Sequence, residues 1–241
     1  MIALVWSVRW RTALARRRSF ALGIVVPAAV ATLIATGGAG GPFAASALPV
    51  LIVGYSAIRA AFTLVSDCRR GLTARVARAG ISPASYLLQR AAAHATVDTL
   101  QLAPALLIAG AAGDASLGQV ALTVGALLGA TWICGLIGIA VAAATPTPEE
   151  AGLLAGLGAL LLVHASGALR SFADGSVGAG LETLSPFRFL HEAMLDMIVG
   201  APVDGAWSFV AWAALLPALV VLLAPRPLTL PAYSPHWEGQ D

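Results

Sequence analysis

The chain has 241 residues, 59% of them hydrophobic and only 11% charged, with a net charge of +2 and a mean hydropathy of +0.85. A soluble domain carries about 25% charged residues, so this composition excludes an ordinary water-soluble globule and points to an integral membrane protein. Every basic residue is arginine; without a lysine the chain cannot build a Walker A phosphate loop, so any ATP-driven action requires another chain to bind the nucleotide.

Residues 1–19 mix large apolar groups with five arginines. Trp6, Trp10, Ala13 and Leu14 fall at helical spacing, and Arg9, Arg16 and Arg17 fall largely on another side. This pattern predicts an amphipathic helix at the membrane interface with tryptophan at headgroup depth. The plainer alternative is a positive N-terminal anchor without a partner.

Six apolar runs follow and are expected to span the membrane, at about 20–36, 43–65, 91–112, 117–144, 151–169 and 206–223. The first run lacks a convincing small-x-small processing site after its Arg-rich start, so it reads as a span and not as a cleaved signal. GGAGGP breaks the chain before the second span, GDAS turns it before the fourth, and TPTPEE precedes the fifth. Arg59, near the inner end of the second span, is expected to snorkel to the headgroups. Glu149 and Glu150 suit the first turn of the fifth helix, where the macrodipole favours anions. Gly125 with Gly129, and Gly152 with Gly156, form small-xxx-small pairs that permit close helix approach.

Six spans place both termini on one side. Arg9, Arg11, Arg16, Arg17, Arg18, Arg59, Arg69, Arg70, Arg75, Arg78, Arg90 and Arg226 then share that side, against only Arg170 and Arg188 on the other. The positive-inside bias assigns the termini and the Arg-rich stretch at 67–90 to the cytoplasm.

Within that stretch Leu72, Val76 and Ala79 share one helix face, and Arg75 and Arg78 another. Gly80 suits a C-cap because it accepts positive φ. Ser82 and Pro83 suit the N-cap and first position of a new helix. A short basic cytoplasmic helix is therefore expected, capped separately from the third span. It would lie on anionic lipid or dock on an acidic protein surface. Cys68 and Cys134 are isolated, so neither a disulfide nor a metal spacing is expected.

Two further features carry polar chemistry. His94, Asp98 and Gln101 stand at i, i+4 and i+7 on the third span, and His164 with Ser166 lies on the fifth. Ionisable groups in spans face protein or water, so these read either as a pathway stripe or as a satisfied interhelical hydrogen-bond set. Before the last span, Ser185 and Pro186 are expected to start a helix whose apolar face holds Phe187, Leu190, Met194, Met197 and Ile198, ended by Gly200 and Pro202. Arg188 and Glu192 are spaced for an i,i+4 pair. This helix would lie in the outer leaflet, lid an exit, or simply pack at the interface.

The order of these elements resembles the membrane subunit of a type-2 ABC exporter. The residues that carry the resemblance are RRGLTARVARAGISPASYLLQR, between the second and third spans, and LETLSPFRFLHEAMLDMIVGAP before the sixth. The resemblance covers nearly the whole chain. It implies an all-α integral membrane protein forming a single transmembrane domain over 1–241. That domain has an interfacial helix at 1–19, a coupling helix region at 67–82 between spans 2 and 3, and an external segment at 171–205.

It further implies two permease subunits lining a pathway, the second being another copy or a homologous chain. Two ABC ATPase subunits would dock beneath the coupling helices and hold ATP and magnesium, with no cofactor on this chain and no nucleic acid partner. The expected ATPase-docking residues are Arg69, Arg70, Leu72, Arg75, Val76 and Arg78. The expected pathway residues are His94, Asp98, Gln101 and His164. The membrane would be a bacterial cytoplasmic (inner) membrane. The cargo would be a small hydrophobic or amphipathic molecule such as a drug or antibiotic, with lipid, peptide or polysaccharide export as alternatives.

Rival classes meet missing parts. Glu149–Glu150 and Phe187–His191 resemble the EExxxR and FxxxH motifs of membrane-embedded glutamate-dependent proteases. The Arg position holds Leu154, and no third His motif follows. His164–Gly167 faintly resembles the rhomboid serine motif, without its preceding Gly. An enzyme, like a non-transporting membrane scaffold, therefore ranks behind the transporter.

Overall fold

The computed structural model describes residues 6–7, 10–11, 14–15, 17–37, 41–145, 147–169 and 172–224, and among these it is helical without strands. The helices are α1 (Arg17–Gly37), α2 (Gly41–Arg69), α3 (Leu72–Arg78), α4 (Pro83–Ala112), α5 (Leu117–Ala144), α6 (Pro148–Ala165), α7 (Val177–Leu184), α8 (Arg188–Val199) and α9 (Ala206–Leu223). Three of them, α4, α5 and α9, are long and apolar enough to cross a membrane. The other expected spans coincide with α1, α2 and α6. The interfacial helix expected at 1–19 lies partly outside the described residues, and Arg170 and Arg226 wholly so. Trp6 and Trp10 are helical, and their rings sit 5.7 Å apart.

Local signals set most boundaries. Ser82 accepts from Ser85 N, with Pro83 at the first helical position of α4. Ser116 and Gln119 close a capping box on α5. Thr147 caps α6 just ahead of Glu149 and Glu150, which occupy its first turn. The expectation for Ser185 and Pro186 is corrected. Helix α8 begins at Arg188, and Ser185 closes α7 instead. The Ser185 hydroxyl donates to Leu162 O, tying the end of α7 to α6, and accepts from Phe187 N in the turn that precedes α8.

The bundle is organised around α5, which packs against α2, α4, α6, α8 and α9. Lipid tails are as apolar as leucine, so close approach and hydrogen bonds, not water exclusion, hold spans together. A close approach of backbone to backbone is at Gly138 of α5, where a Cβ would run into Ala57 O and come within 2.9 Å of the Ala60 methyl group on α2. The small-xxx-small pairs divide. Gly152 and Gly156 receive Phe62 and Ile58 of α2, whereas Gly129 meets Phe209 of α9 and Gly125 faces open space.

Two apolar clusters fill the interior. One, at the α3 end, contains Leu64, Ile81, Leu87, Ile133, Leu136 and Val220. The other, at the α8 end, contains Val53, Leu127, Phe187, Leu190, Met194 and Met197. Helix α8 is thus no loose cover. Phe187, Leu190, Ala193, Met194 and Met197 are essentially inaccessible. Side chains of α5 seal it further: Thr123 donates to Ala193 O, and Gln119 Nε2 donates to Asp196 O at 2.9 Å.

Candidate functional site

The Arg-rich stretch divides into parts. Helix α2 continues through Asp67, Cys68 and Arg69, so Arg69 belongs to it and Arg70 to the turn that follows. Gly71 then takes φ +64° and α3 runs for seven residues. At its far end Gly80 N bonds Ala77 O and Ile81 N bonds Val76 O, with Gly80 at φ +74°. This is a Schellman termination, which satisfies the last carbonyls of the helix. Buried Ile81 seals it on the same cluster that Val76 touches. Helix α3 is therefore a segment of about two turns set between two left-handed glycines.

Its faces are clear. Thr73 is buried and Val76 is turned to the bundle, while Leu72 is half-buried. Ala79, expected beside Leu72 and Val76, is exposed past the helix end. Arg69, Arg70, Arg75 and Arg78 are all exposed. Two of them are steadied by backbone, Arg75 donating to Arg70 O and Arg78 to Ala74 O. No carboxylate of the described residues pairs with any of the four. Of the six expected docking residues, the four arginines are exposed without a carboxylate partner among the described residues, and Val76 packs toward the bundle.

Beneath α3 the bases of α2 and α4 are clamped. Asp67 accepts from Arg90 Nη1 and from the Tyr86 hydroxyl, and Arg90 Nη1 also reaches that hydroxyl. Arg90, counted above among the arginines of the cytoplasmic side, is buried and paired.

Farther along the same two helices lies a second polar group. Asp98 accepts from Arg59 Nη2 at 2.8 Å and from Ser56 Oγ at 2.6 Å. His94 Nε2 stands 3.2 Å from Asp98 Oδ2 and 3.3 Å from Ser56 O. Two acceptors facing one ring nitrogen require that nitrogen to carry the proton. Gln101 Oε1 takes a 3.5 Å bond from Arg59, and its Nε2 donates to Phe20 O of α1. Arg59 therefore does not snorkel to headgroups. A buried carboxylate draws it inward, leaving its side chain 32% exposed. The predicted trio His94, Asp98 and Gln101 is brought together. His164 is not: it is exposed at the end of α6 and meets the edge of Phe172. On the other side of the set, Thr99 and Thr131 share a hydrogen bond between α4 and α5.

The sequence reading missed Ser56 and Arg59 as partners of Asp98, and Asp67 with Tyr86 as partners of Arg90. One signal was present. Arg59 and Asp67 on one helix, and Arg90 and Asp98 on the next, carry charges in the order that an antiparallel pairing requires.

Outside the expected spans, Glu192 accepts from Arg188 Nε at 2.5 Å and also from Asp204 N and Gly205 N, at 2.7 and 2.6 Å. The predicted i,i+4 pair thus also caps the entry to α9, and Glu192 pushes the Arg188 pKa above its already high ordinary value. Beside it, burial pulls the His191 pKa below its ordinary value, against a smaller upward pull from Glu192.

A family model described as "ABC-2 family transporter protein" matches residues 35–224, which include both polar groups, α3 and the α7–α8 segment. No curated protein matches the chain.

Proposed function

Because the chain belongs to the ABC-2 transporter family as a membrane permease, we propose that it is one of two permease subunits of an ATP-driven exporter, whose ATPase subunits dock on α3. The observation that carries this reading is the surface of α3. Four exposed arginines without a carboxylate partner among the described residues, Arg69 and Arg70 leading into α3 and Arg75 and Arg78 on it, surround a short helix with a Schellman stop, between two membrane-length segments. A connection that only joined two spans has no need of a Schellman stop and a separate Ser82 cap. A surface that receives force from an acidic partner does.

In this reading α1, α2, α4, α5, α6 and α9 are the six spans, and the termini and α3 are cytoplasmic. Residues 1–19 form an interfacial helix and α7–α8 an external segment. The pathway forms against a second permease copy or a homologous chain. ATP and magnesium reside in the partner ATPases, because a chain without lysine offers no Walker A loop. The cargo is a small hydrophobic or amphipathic molecule, consistent with short connections and a single compact bundle. The membrane is a bacterial inner membrane.

The test is Arg75→Glu with Arg78→Glu in the full chain, coexpressed with the candidate ATPase. The expected result is loss of ATPase copurification and of transport, with membrane insertion and thermal stability retained, since both residues are solvated. Wild-type association and transport in this variant refute the docking assignment. Proteolysis by the purified chain alone refutes the transporter.

A further inference from the structure

The two polar groups between α2 and α4 form a ladder. Arg59 and Asp67 are eight residues apart on α2, and Arg90 and Asp98 are eight apart on α4. Arg59 pairs with Asp98, and Asp67 with Arg90. The helices run antiparallel, the charges are exchanged between the rungs, and the rungs stand about 12 Å apart along the axis. The helices themselves barely pack on each other: α2 lies against α5 and α6, and α4 against α5 and α1. The side-chain pairs therefore bridge α2 to α4 where backbone packing does not.

We infer that Arg59, Asp67, Arg90 and Asp98 are positioning residues that lock α2 and α4 into one lever, through which a displacement of α3 enters the membrane. This rests on the docking role proposed for α3. Three responses to a push on α3 are geometrically open: swivelling at Gly71 and Gly80, sliding of α2 along α4, or joint movement of the pair. One rung is a pivot and leaves rotation free. Two rungs oppose both rotation and sliding. A slide of one turn, about 5.4 Å, breaks both pairs. A slip of eight residues in either direction sets Arg59 against Arg90 or Asp67 against Asp98, so the charge order opposes misregister as well. Helix α1 follows α4, against which it packs and to which Gln101 ties Phe20 O.

The lower rung is the cleaner one to test, because the Tyr86 hydroxyl both donates and accepts and so tolerates an exchange of its neighbours. Asp67→Arg and Arg90→Asp are compared with the double exchange, first in the purified full chain. Each single variant is expected to lower the thermal midpoint by roughly 5 °C or more, and the exchange to restore most of that loss. The same variants are then read with the ATPase in liposomes as cargo moved per ATP hydrolysed, which falls in the singles and recovers in the exchange. Spin labels on Tyr55 of α2 and Leu100 of α4, both exposed, are expected to keep one distance in nucleotide-free and ATP-trapped complexes.

A change of that distance between states, or an exchange no better than either single variant, overturns the lever. Should no ATPase associate even with the wild-type chain, the docking reading fails. The stability rescue then still decides whether the register lock exists.

Discussion

Asp98 sits 6% exposed by side chain and accepts from Arg59 and Ser56, with the His94 ring at 3.2 Å. Removing it in Asp98→Leu leaves Arg59 and Ser56 facing an apolar group, while the His94 ring keeps Ser56 O. Hydrogen bonds between membrane helices average about 0.6 kcal/mol each, so the two from α2 give a floor near 1 kcal/mol. Breaking a buried ion pair from one side costs about 3–5 kcal/mol. Arg59 is a third exposed and recovers part of that by resolvation, which brings the expected loss to about 2–4 kcal/mol. For a chain of this length that is a fall of roughly 5–15 °C in thermal midpoint. Arg59→Met is expected to cost as much, because it strands the carboxylate.

The double variant Arg59→Met with Asp98→Leu removes both charges together. It is expected to return to within about 1 kcal/mol of wild type, since an apolar pair can replace a buried ion pair. The assay is thermal unfolding of the full chain in detergent, read as a double-mutant cycle. Single variants within about 0.5 kcal/mol of wild type, or a double variant that loses the sum of the singles, would refute the description of this pair as buried and coupled.

Gly138→Val is expected to cost about 1–3 kcal/mol by pushing α5 off the Ala57 carbonyl, whereas Gly125→Ala, with nothing within 4 Å of its Cβ position, is expected to be neutral; thermal unfolding of the two variants checks the contrast. Glu192→Ala is expected to destabilise by about 2–3 kcal/mol, because two backbone N–H groups at the entry of α9 and Arg188 lose a charged acceptor; limited proteolysis near Asp204 reports the loosened turn. His191 has a folded pKa below its unfolded value of about 6.5, so its contribution to stability is complete above that value and is lost as pH falls through the folded pKa. Thermal midpoints between pH 7.5 and pH 5 are therefore expected to fall less steeply in His191→Gln than in wild type.

Much of the frame was legible residue by residue. Gly80 as a left-handed stop, Ser82 and Pro83 as the start of α4, and Glu149 with Glu150 in the first turn of α6 all follow from rules that act within one turn of helix. The expected spans at 91–112, 117–144 and 206–223 fall within or on helices of membrane length because the length of an apolar run needs no partner to express itself. The basic character of α3, and the surface of α3 left to its arginines, were likewise open to inspection of the chain alone.

Other features depended on neighbours far away in sequence. In water, an apolar stripe marks the buried face of a helix. In a bilayer both the lipid face and the protein face are apolar, so periodicity does not tell them apart. That is why Gly138 escaped notice while Gly125 drew it, and why Val76 was placed on the docking surface although it is turned to the bundle. Arg59 shows the same limit for charge. By itself it had only the headgroups to reach, and it turned inward because Asp98, on another helix, lies within 2.8 Å. Composition, caps and run lengths determined what the elements are. Which faces meet, and which opposite charges find each other across α2 and α4, was decided only when α5 brought those helices side by side.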